Sequence, residues 1–480
     1  MVISAISGIM LGRHYEWLST TSRRQKGVSQ VDPTVIRRQR KIKCHKEILL
    51  LESRWYRSLV SEFSKSKEVF LFRKRKEQQM ANSNLSKAKK AKNDEFYTQF
   101  PDIQKEIESY LEFDKDTFRG KVVYCNCDDP FESNFFRYFV LNFKRLGLKR
   151  LITTSYKPSP VANTQLGLFG DDKTIAPKKG RPKVTANKFI INEVGDIDGD
   201  GAFTLQDIAM QLKANKNNEW GPLDGDGDFR SEECIELLKQ SDIVVTNPPF
   251  SLFREYVAQL VEYDKRFVII GNQNAITYKE IFPLIKDNKM WLGPTMNGSN
   301  RWFEVPDDYP IRENAAGAKI VNGKKMLFVN SVVWFTNLDH GRRHQPLSLM
   351  TMSDNLKFSK KLAGKKAYDR YDNYDAIEVP TYLVIPSDYS GVMGVPITFL
   401  HKYNPDQFRI LGSDAYDGTP ATKKYAKKEK VVSGKRMKSQ TGTMGCVIKR
   451  SDYGQGTYFD VGYPVQAVYK RIFIKHRKAK

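Results

Sequence analysis

The feature that most constrains this chain is Asn247-Pro248-Pro249-Phe250. It follows Ile243, Val244 and Val245, an apolar run of the length and residue type of a buried strand. Two consecutive prolines supply no backbone N–H, so no sheet ladder continues through them. Beyond them Phe253, Tyr256, Val257 and Leu260 recur at helical spacing. The tetrapeptide is therefore expected on the turn from the carboxyl end of a strand into a helix, where open α/β sheets bind their ligands. A rigid structural turn with Phe250 in the core has the same residues. The corner needs partners elsewhere in the chain.

At 480 residues the chain has room for two or three domains. Its formal charge of +24 points to a polyanionic partner, either nucleic acid or an anionic membrane surface. The 23 Tyr and 28 Phe interleave with basic residues and suit either base stacking or ordinary packing. Five scattered cysteines argue for a reducing interior rather than a disulfide framework. Cys125-Asn126-Cys127 lacks the two-residue gap of a zinc knuckle, so zinc is not expected. No apolar run reaches bilayer length, and the expectation is a soluble, cytoplasmic protein.

Residues 1–79 are rich in Arg and Lys, and three readings stay open for them: an arm that follows phosphates, a disordered tail, or a mis-assigned start. The third arises because Met80 opens a stretch that reads like a natural protein start. After a helix over residues 103–111, residues 122–125 read as a first strand, followed by a helix from about Ser133 to Phe143. A second strand covers residues 150–156, and residues 157–185 read as a loop carrying a basic cluster at 178–183. Residues 188–194 look like a further strand. Residues 196–207 place Asp196, Asp198, Asp200 and Asp207 at positions one, three, five and twelve of a calcium-loop pattern, with Gly201 at six. An Asp in the last place and the lack of a second loop make calcium the lesser reading there, beside a plain Asp-Gly turn.

A helix over residues 232–240 leads into the strand before Asn247, and residues 266–272 form the next strand. Two more strand-like runs, 290–292 and 326–334, flank a polar, aromatic loop at 297–303 that is a candidate for gripping a nucleotide, although Trp302 and Phe303 equally suit packing. Past about residue 339 the helix–strand alternation gives way to short β-type runs, expected to form a smaller domain.

Asn247-Pro248-Pro249-Phe250 resembles the catalytic motif of S-adenosylmethionine-dependent amino-methyltransferases, in the form typical of DNA N6-adenine enzymes. An exocyclic amine is a poor nucleophile because its lone pair is delocalised into the ring. Two acceptors aimed at its hydrogens, the Asn247 side chain and the Pro248 carbonyl, draw the nitrogen toward tetrahedral geometry. Pro248 and Pro249 hold both in place beforehand, and Phe250 offers a face for an extruded base. Other segments follow in the order of that family. Phe96-Tyr97-Thr98 resembles the motif that closes over the cofactor's methionine end. The first strand ends in Asn126-Cys127-Asp128-Asp129-Pro130, without the usual glycines, and Asp128 and Asp129 are placed to meet the cofactor's amino group. Asp228-Phe229 resembles the pair that meets its adenine, Asp228 accepting from the amino group and Phe229 packing on the ring.

Residues 89–99, 122–130, 226–231 and 247–254 together resemble the EcoRI-type adenine-specific DNA methyltransferases, from about Met80 to the C-terminus. The resemblance implies a Rossmann-like α/β methyltransferase sheet over residues 80–340 and a target-recognition domain over residues 341–480. It implies methyl transfer from S-adenosylmethionine to a flipped adenine in double-stranded DNA, often beside a cognate restriction endonuclease. The alternatives are methylation of cytosine N4 or of RNA, a DNA-binding protein without catalysis, and a calcium-dependent module built on residues 196–207.

Overall fold

The computed structural model describes residues 98–127, 133–156, 186–201, 203–204, 207–208, 210–211, 217–296, 301–305, 317–414, 421–425, 428–437, 445–451, 453 and 456–477. These belong to one compact unit, Lys76–Lys480. The expectations for residues 1–79, 157–185 and 297–300, and for Phe96, Tyr97, Asp128 and Asp129, fall outside the described residues.

The chain forms a mixed α/β structure around a large mixed sheet. Its strands in chain order are β1 (Val122–Cys125), β2 (Arg150–Thr154), β3 (Asn187–Ile191), β4 (Glu219–Pro222), β5 (Ile243–Thr246), β6 (Arg266–Asn272) and β7 (Trp291–Leu292). Three more, β8 (Arg301–Val305), β9 (Ala318–Val321) and β10 (Lys324–Val329), make a separate small sheet, and β11 (Val332–Thr336) returns to the large one. Among the described residues the large sheet runs β4-β3-β2-β1-β5-β6-β11-β7. Its centre, β2-β1-β5-β6, is parallel, and antiparallel strands close both flanks. Parallel pairing aligns the carboxyl ends of β1, β5 and β6 along one edge, and Asn247 follows directly from β5.

Helices cover both faces: α1 (Phe100–Leu111), α2 (Asn134–Leu141), α3 (Phe143–Leu146), α4 (Glu232–Gln240), α5 (Phe253–Glu262), α6 (Phe282–Lys286) and, later, α7 (Met352–Phe358). The two-residue period of the strands sorts their side chains between two cores. Val123, Cys125, Ile243, Val245, Val268 and Ile270 meet Ile103, Ile107, Phe135, Phe136 and Phe139 of α1 and α2. Tyr124, Val244, Phe267 and Ile269 meet Leu237, Leu238, Tyr256, Val257 and Leu260 of α4 and α5. Helix starts are capped where the sequence supplies a hydroxyl: Ser133 accepts from Phe135 N and Phe136 N, and Ser231 from Cys234 N.

Beyond the large sheet, β12 (Ile377–Glu378), β13 (Met393–Pro396), β14 (Phe408–Ser413) and β20 (Arg471–His476) form a four-stranded sheet. β15 (Glu429–Val432), β16 (Lys435–Met437), β17 (Val447–Lys449), β18 (Thr457–Asp460) and β19 (Pro464–Ala467) form one of five. Met393, Val395, Phe408, Ile472 and Ile474 join the apolar cluster that includes α4 and α5. A buried Arg471–Glu378 pair, 2.6 and 2.9 Å, fastens β20 to β12. No helix among the described residues is long and apolar enough to cross a membrane.

Three sequence expectations need correction. The run 326–334 is two strands, because the chain turns at Asn330-Ser331 with Ser331 at φ 57°. Neither proline nor glycine marks that turn, and apolar residues on either side fuse into one apparent strand. The polar segment 297–303 is not a loop throughout: Arg301 begins β8, where Trp302 packs on Phe328 at 5.0 Å and Phe303 is 2 % exposed. The helix over Ser133–Phe143 breaks at Asn142 into α2 and α3.

Glu106 lies on the apolar stripe of α1 and is fully buried. It accepts from the Tyr110 hydroxyl at 2.9 Å, from Thr295 N at 3.1 Å and from the Thr295 hydroxyl. Burial outweighs these bonds and raises its pKa from 4.5 to about 7. The folded state thus binds an extra proton between those two pH values, and this group's contribution to stability falls as pH rises through that window. The shift corresponds to about 3 kcal/mol. Glu106→Gln should match wild type in urea unfolding at pH 4 and exceed it by about that amount at pH 8. Equal stability at pH 8 would remove the argument.

Candidate active site

The corner after β5 is buried and rigid. Asn247 is 5 % exposed, and Pro248 and Pro249 are also buried. The Pro249 carbonyl accepts from Leu252 N at 3.0 Å, and the Leu252 carbonyl accepts from Tyr256 N at 2.9 Å, which carries the turn straight into α5. Asn247 is thereby fixed between a four-residue buried strand and a helix whose Phe253, Tyr256, Val257 and Leu260 pack beneath the sheet.

Asn126 holds the neighbouring strand end. It is 3 % exposed; its carbonyl accepts from the Thr246 hydroxyl and its Oδ1 from the Tyr256 hydroxyl. One residue of β1's exit is thus bonded to both the last residue of β5 and the second turn of α5. Cys127 follows at φ 68°, the left-handed conformation that glycine adopts most easily. The turn therefore has the backbone shape expected of a glycine-bearing loop although its sequence has none. Ser133, 1 % exposed, then caps α2.

Thr98 is 1 % exposed, and its Oγ1 has no hydrogen-bond partner among the described residues. Its carbonyl accepts from Asn134 Nδ2 at 2.8 Å, which docks the start of α1 on the first turn of α2. A buried, unmatched hydroxyl beside a helix start suits a ligand carboxylate.

Asp228 and Phe229 lie at the head of the turn into α4. The Asp228 carboxylate accepts from Arg230 Nε at 2.9 Å, Arg230 Nη2 at 2.7 Å and Arg230 N at 2.9 Å. This bond from Asp228 holds the Arg230 pKa above its usual value. Phe229 is 4 % exposed and packs edge-on against Tyr256 at 5.0 Å. Gly227, at φ 76°, makes the approach possible: a Cβ there would lie 1.9 Å from the Ser155 carbonyl just beyond β2. Phe250 is 7 % exposed and belongs to the apolar cluster of Phe135, Phe136 and Val245.

Asp196, Asp198 and Asp207 bring one carboxylate oxygen each within 4.8 Å of one another. The loop also closes on itself: Asp207 accepts from Ile197 N at 2.6 Å and Thr204 N at 2.8 Å, and Asp196 from Gly199 N and Gly201 N. Those backbone bonds lower the Asp207 pKa to about 2.

Sequence reasoning did not find Thr246, Tyr256 as a hydrogen-bond donor, or Arg301, whose guanidinium pairs with Asp102 of α1 at 3.3 Å. The available signal was a hydroxyl on an otherwise apolar stripe, at the last strand position and one turn into the helix.

Residues 84–476 match the family described as adenine-specific methyltransferase EcoRI. The chain is 45 % identical over 336 residues to the type II methyltransferase M.EcoRI of Escherichia coli, covering 69 % of this chain and 89 % of that one. It is 37 % identical over 330 residues to the type II methyltransferase M.MpnI of Mycoplasma pneumoniae, covering 68 % and 84 %. No solved structure matches the chain.

Gly227→Ala should lower stability by about 2 kcal/mol, from the left-handed backbone and the overlap with Ser155. Gly225→Ala, where a Cβ meets nothing within 4 Å, is the control and should melt like wild type. Matching thermal midpoints for the two variants would show that the Gly227 contact is not required.

Proposed function

The chain belongs to the adenine-specific methyltransferase EcoRI family, and we propose that Asn247-Pro248-Pro249-Phe250 is where it methylates the N6 amine of a flipped adenine. It is an adenine-specific DNA methyltransferase of the type II restriction–modification kind. The observation that carries the assignment to this corner is its fixation: Asn247 is buried on a proline-stiffened turn, with Thr246 and Tyr256 on either side of it bonded to Asn126.

In this reading the Asn247 side-chain oxygen and the Pro248 carbonyl accept the two N6 hydrogens. The nitrogen lone pair is thereby withdrawn from the ring and directed outward. Acceptors held before the substrate arrives need no reorganisation during the reaction. S-adenosylmethionine supplies an activated methyl group. Thr98, the Asn126–Cys127 turn, Asp228 and Phe229 are the described residues we assign to holding it, with Phe96, Tyr97, Asp128 and Asp129 completing the set. Asp228 would then share its carboxylate between Arg230 and the adenine amino group. Phe250 is the proposed stacking face for the target base, reached by a shift of its ring out of the cluster it now occupies.

We read the large sheet as Rossmann-like and residues 341–480 as the part that reads the DNA sequence. The excess of Lys and Arg serves the phosphates of double-stranded DNA. A restriction endonuclease cutting the same site is the partner such an enzyme protects against. Calcium at residues 196–207 stays a lesser proposal.

Wild-type protein incubated with radiolabelled S-adenosylmethionine and duplex DNA should label adenine. Asn247→Ala should lower kcat at least ~100-fold, the scale of losing one preorganised polar partner, while DNA affinity stays close to wild type. Undiminished labelling by Asn247→Ala would move the chemistry away from this corner.

A further inference from the structure

The five-stranded sheet carries a hairpin whose two faces differ in charge. β15 and β16 pair antiparallel through Lys430↔Met437, Val431↔Arg436 and Val432↔Lys435. Ser433 and Gly434 join them, both in the left-handed region at φ 48° and 80°, the backbone of a tight two-residue hairpin turn. Directly paired residues share a face, so Val431 and Arg436 lie on one side and Lys430, Lys435 and Met437 on the other. The first side is packed and neutralised. Val431 is buried opposite Tyr458, and Arg436 pairs with Glu429 and, at 2.9 Å, with Asp460. On the second side Lys430 and Lys435 are exposed, neither has an ion pair among the described residues, and Met437 is 53 % exposed. The two lysines are diagonal neighbours about 7–8 Å apart, which matches successive phosphates on one nucleic-acid strand.

Register also places the hairpin. Val432 lies opposite Thr457, and Ser433 N donates to the Gly456 carbonyl at 3.0 Å. β18 pairs with β19 through Phe459↔Val465, so Thr457 and Ala467 stand at the same end of the sheet. The turn is thus two strand spacings, about 10 Å, from Ala467. Just past Ala467 the chain meets the large sheet: the Tyr469 hydroxyl donates to Asn274 Oδ1 at 3.3 Å, and Lys470 Nζ to Thr277 Oγ1 at 2.9 Å. Asn274 and Thr277 belong to the short helical turn Gln273–Thr277 at the carboxyl end of β6, the strand beside β5. The hairpin tip therefore stands at the end of its sheet that abuts the proposed active edge.

We propose that the Lys430–Lys435 face of this hairpin grips the phosphate backbone of duplex DNA and lays the duplex across that edge. The proposal rests on reading residues 341–480 as the part that meets the DNA. A backbone contact is blind to sequence: it fixes where the duplex lies and leaves base reading to other groups. Met437, opposite Lys430, supplies an apolar surface for a deoxyribose. Lysines near a sheet edge can also serve only to keep that edge from pairing with another sheet. The salt dependence of DNA binding tells the two roles apart.

The test measures the affinity of the full chain, against salt concentration, for two duplexes of equal length, one that wild type methylates and one that it does not. Lys430→Gln/Lys435→Gln should raise Kd roughly 10-fold on both duplexes and lower the slope of log Kd against log salt by about 2, the loss of two phosphate contacts. Its kcat at saturating duplex should stay at the wild-type level, and its thermal midpoint should match wild type because both side chains are exposed. Lys430→Arg/Lys435→Arg should keep the wild-type slope. Lys144→Gln/Lys149→Gln removes two exposed charges just before β2, at the opposite edge of the large sheet, and should change neither Kd nor slope. An unchanged slope in the 430/435 Gln pair overturns the proposal, as do an equal change in the 144/149 pair, a loss confined to the methylated duplex, or a fallen midpoint accompanying the loss. Wild-type behaviour separates the claims. If wild type binds duplex DNA and the Gln pair leaves the slope intact, only the hairpin assignment fails; if wild type binds no duplex, the DNA reading fails and the hairpin with it. If wild type binds but methylates nothing, the methyl-transfer reading fails, and the hairpin is judged on the slopes alone.

Discussion

The two hydrogen bonds that Asn126 accepts from Thr246 and Tyr256 fix the relation on which the proposed site depends. Parallel strands leave their ends splayed unless side chains or ligands join them. Here a single buried asparagine joins the exit of β1 to the exit of β5 and to the helix behind it. The segment assigned to the cofactor and the segment assigned to the chemistry are therefore held in one geometry. Packing reinforces this, since Tyr256 also supports Phe229 edge-on and Gln259 Nε2 donates to the Phe229 carbonyl at 3.0 Å. Helix α5 is thus the common backing for three of the segments that line the carboxyl edge.

Much of this was legible because the strongest signals are local. Ile243–Thr246, the double proline and the stripe from Phe253 to Leu260 each specify their own conformation, and they agree about where the strand ends and the helix begins. The helix Glu232–Gln240 and the strand Arg266–Asn272 are equally legible, the strand from its unbroken apolar run. What stayed hidden depends on distant pairing. The turn at Asn330-Ser331 is set by how β10 and β11 pair with different sheets, and nothing in the residues themselves breaks the run. Cys127 adopts the backbone of a glycine turn, a fact that composition conceals because the conformation is enforced by its surroundings.

Buried polar groups mark the same division. Glu106, on the apolar stripe of α1, is enclosed by Tyr110 and Thr295, far apart from one another in the chain. Arg471 and Glu378 are separated by 93 residues and meet in the interior, where their bidentate geometry makes burial tolerable. No periodicity argument identifies such partners, because each is unremarkable until the fold brings the other beside it.

The continuous apolar cluster that runs from α4 and α5 into β13, β14 and β20 has an evolutionary consequence. A recognition module joined by a flexible tether can be traded between enzymes as a cassette. These strands share their interior with the large sheet, and α6 packs on β14, so replacing them wholesale would open voids in the cluster that backs the proposed site. On the proposal that residues 341–480 read the DNA, new target preferences arise by single exchanges on the outer rims of these strands, with gradual drift of specificity rather than abrupt jumps.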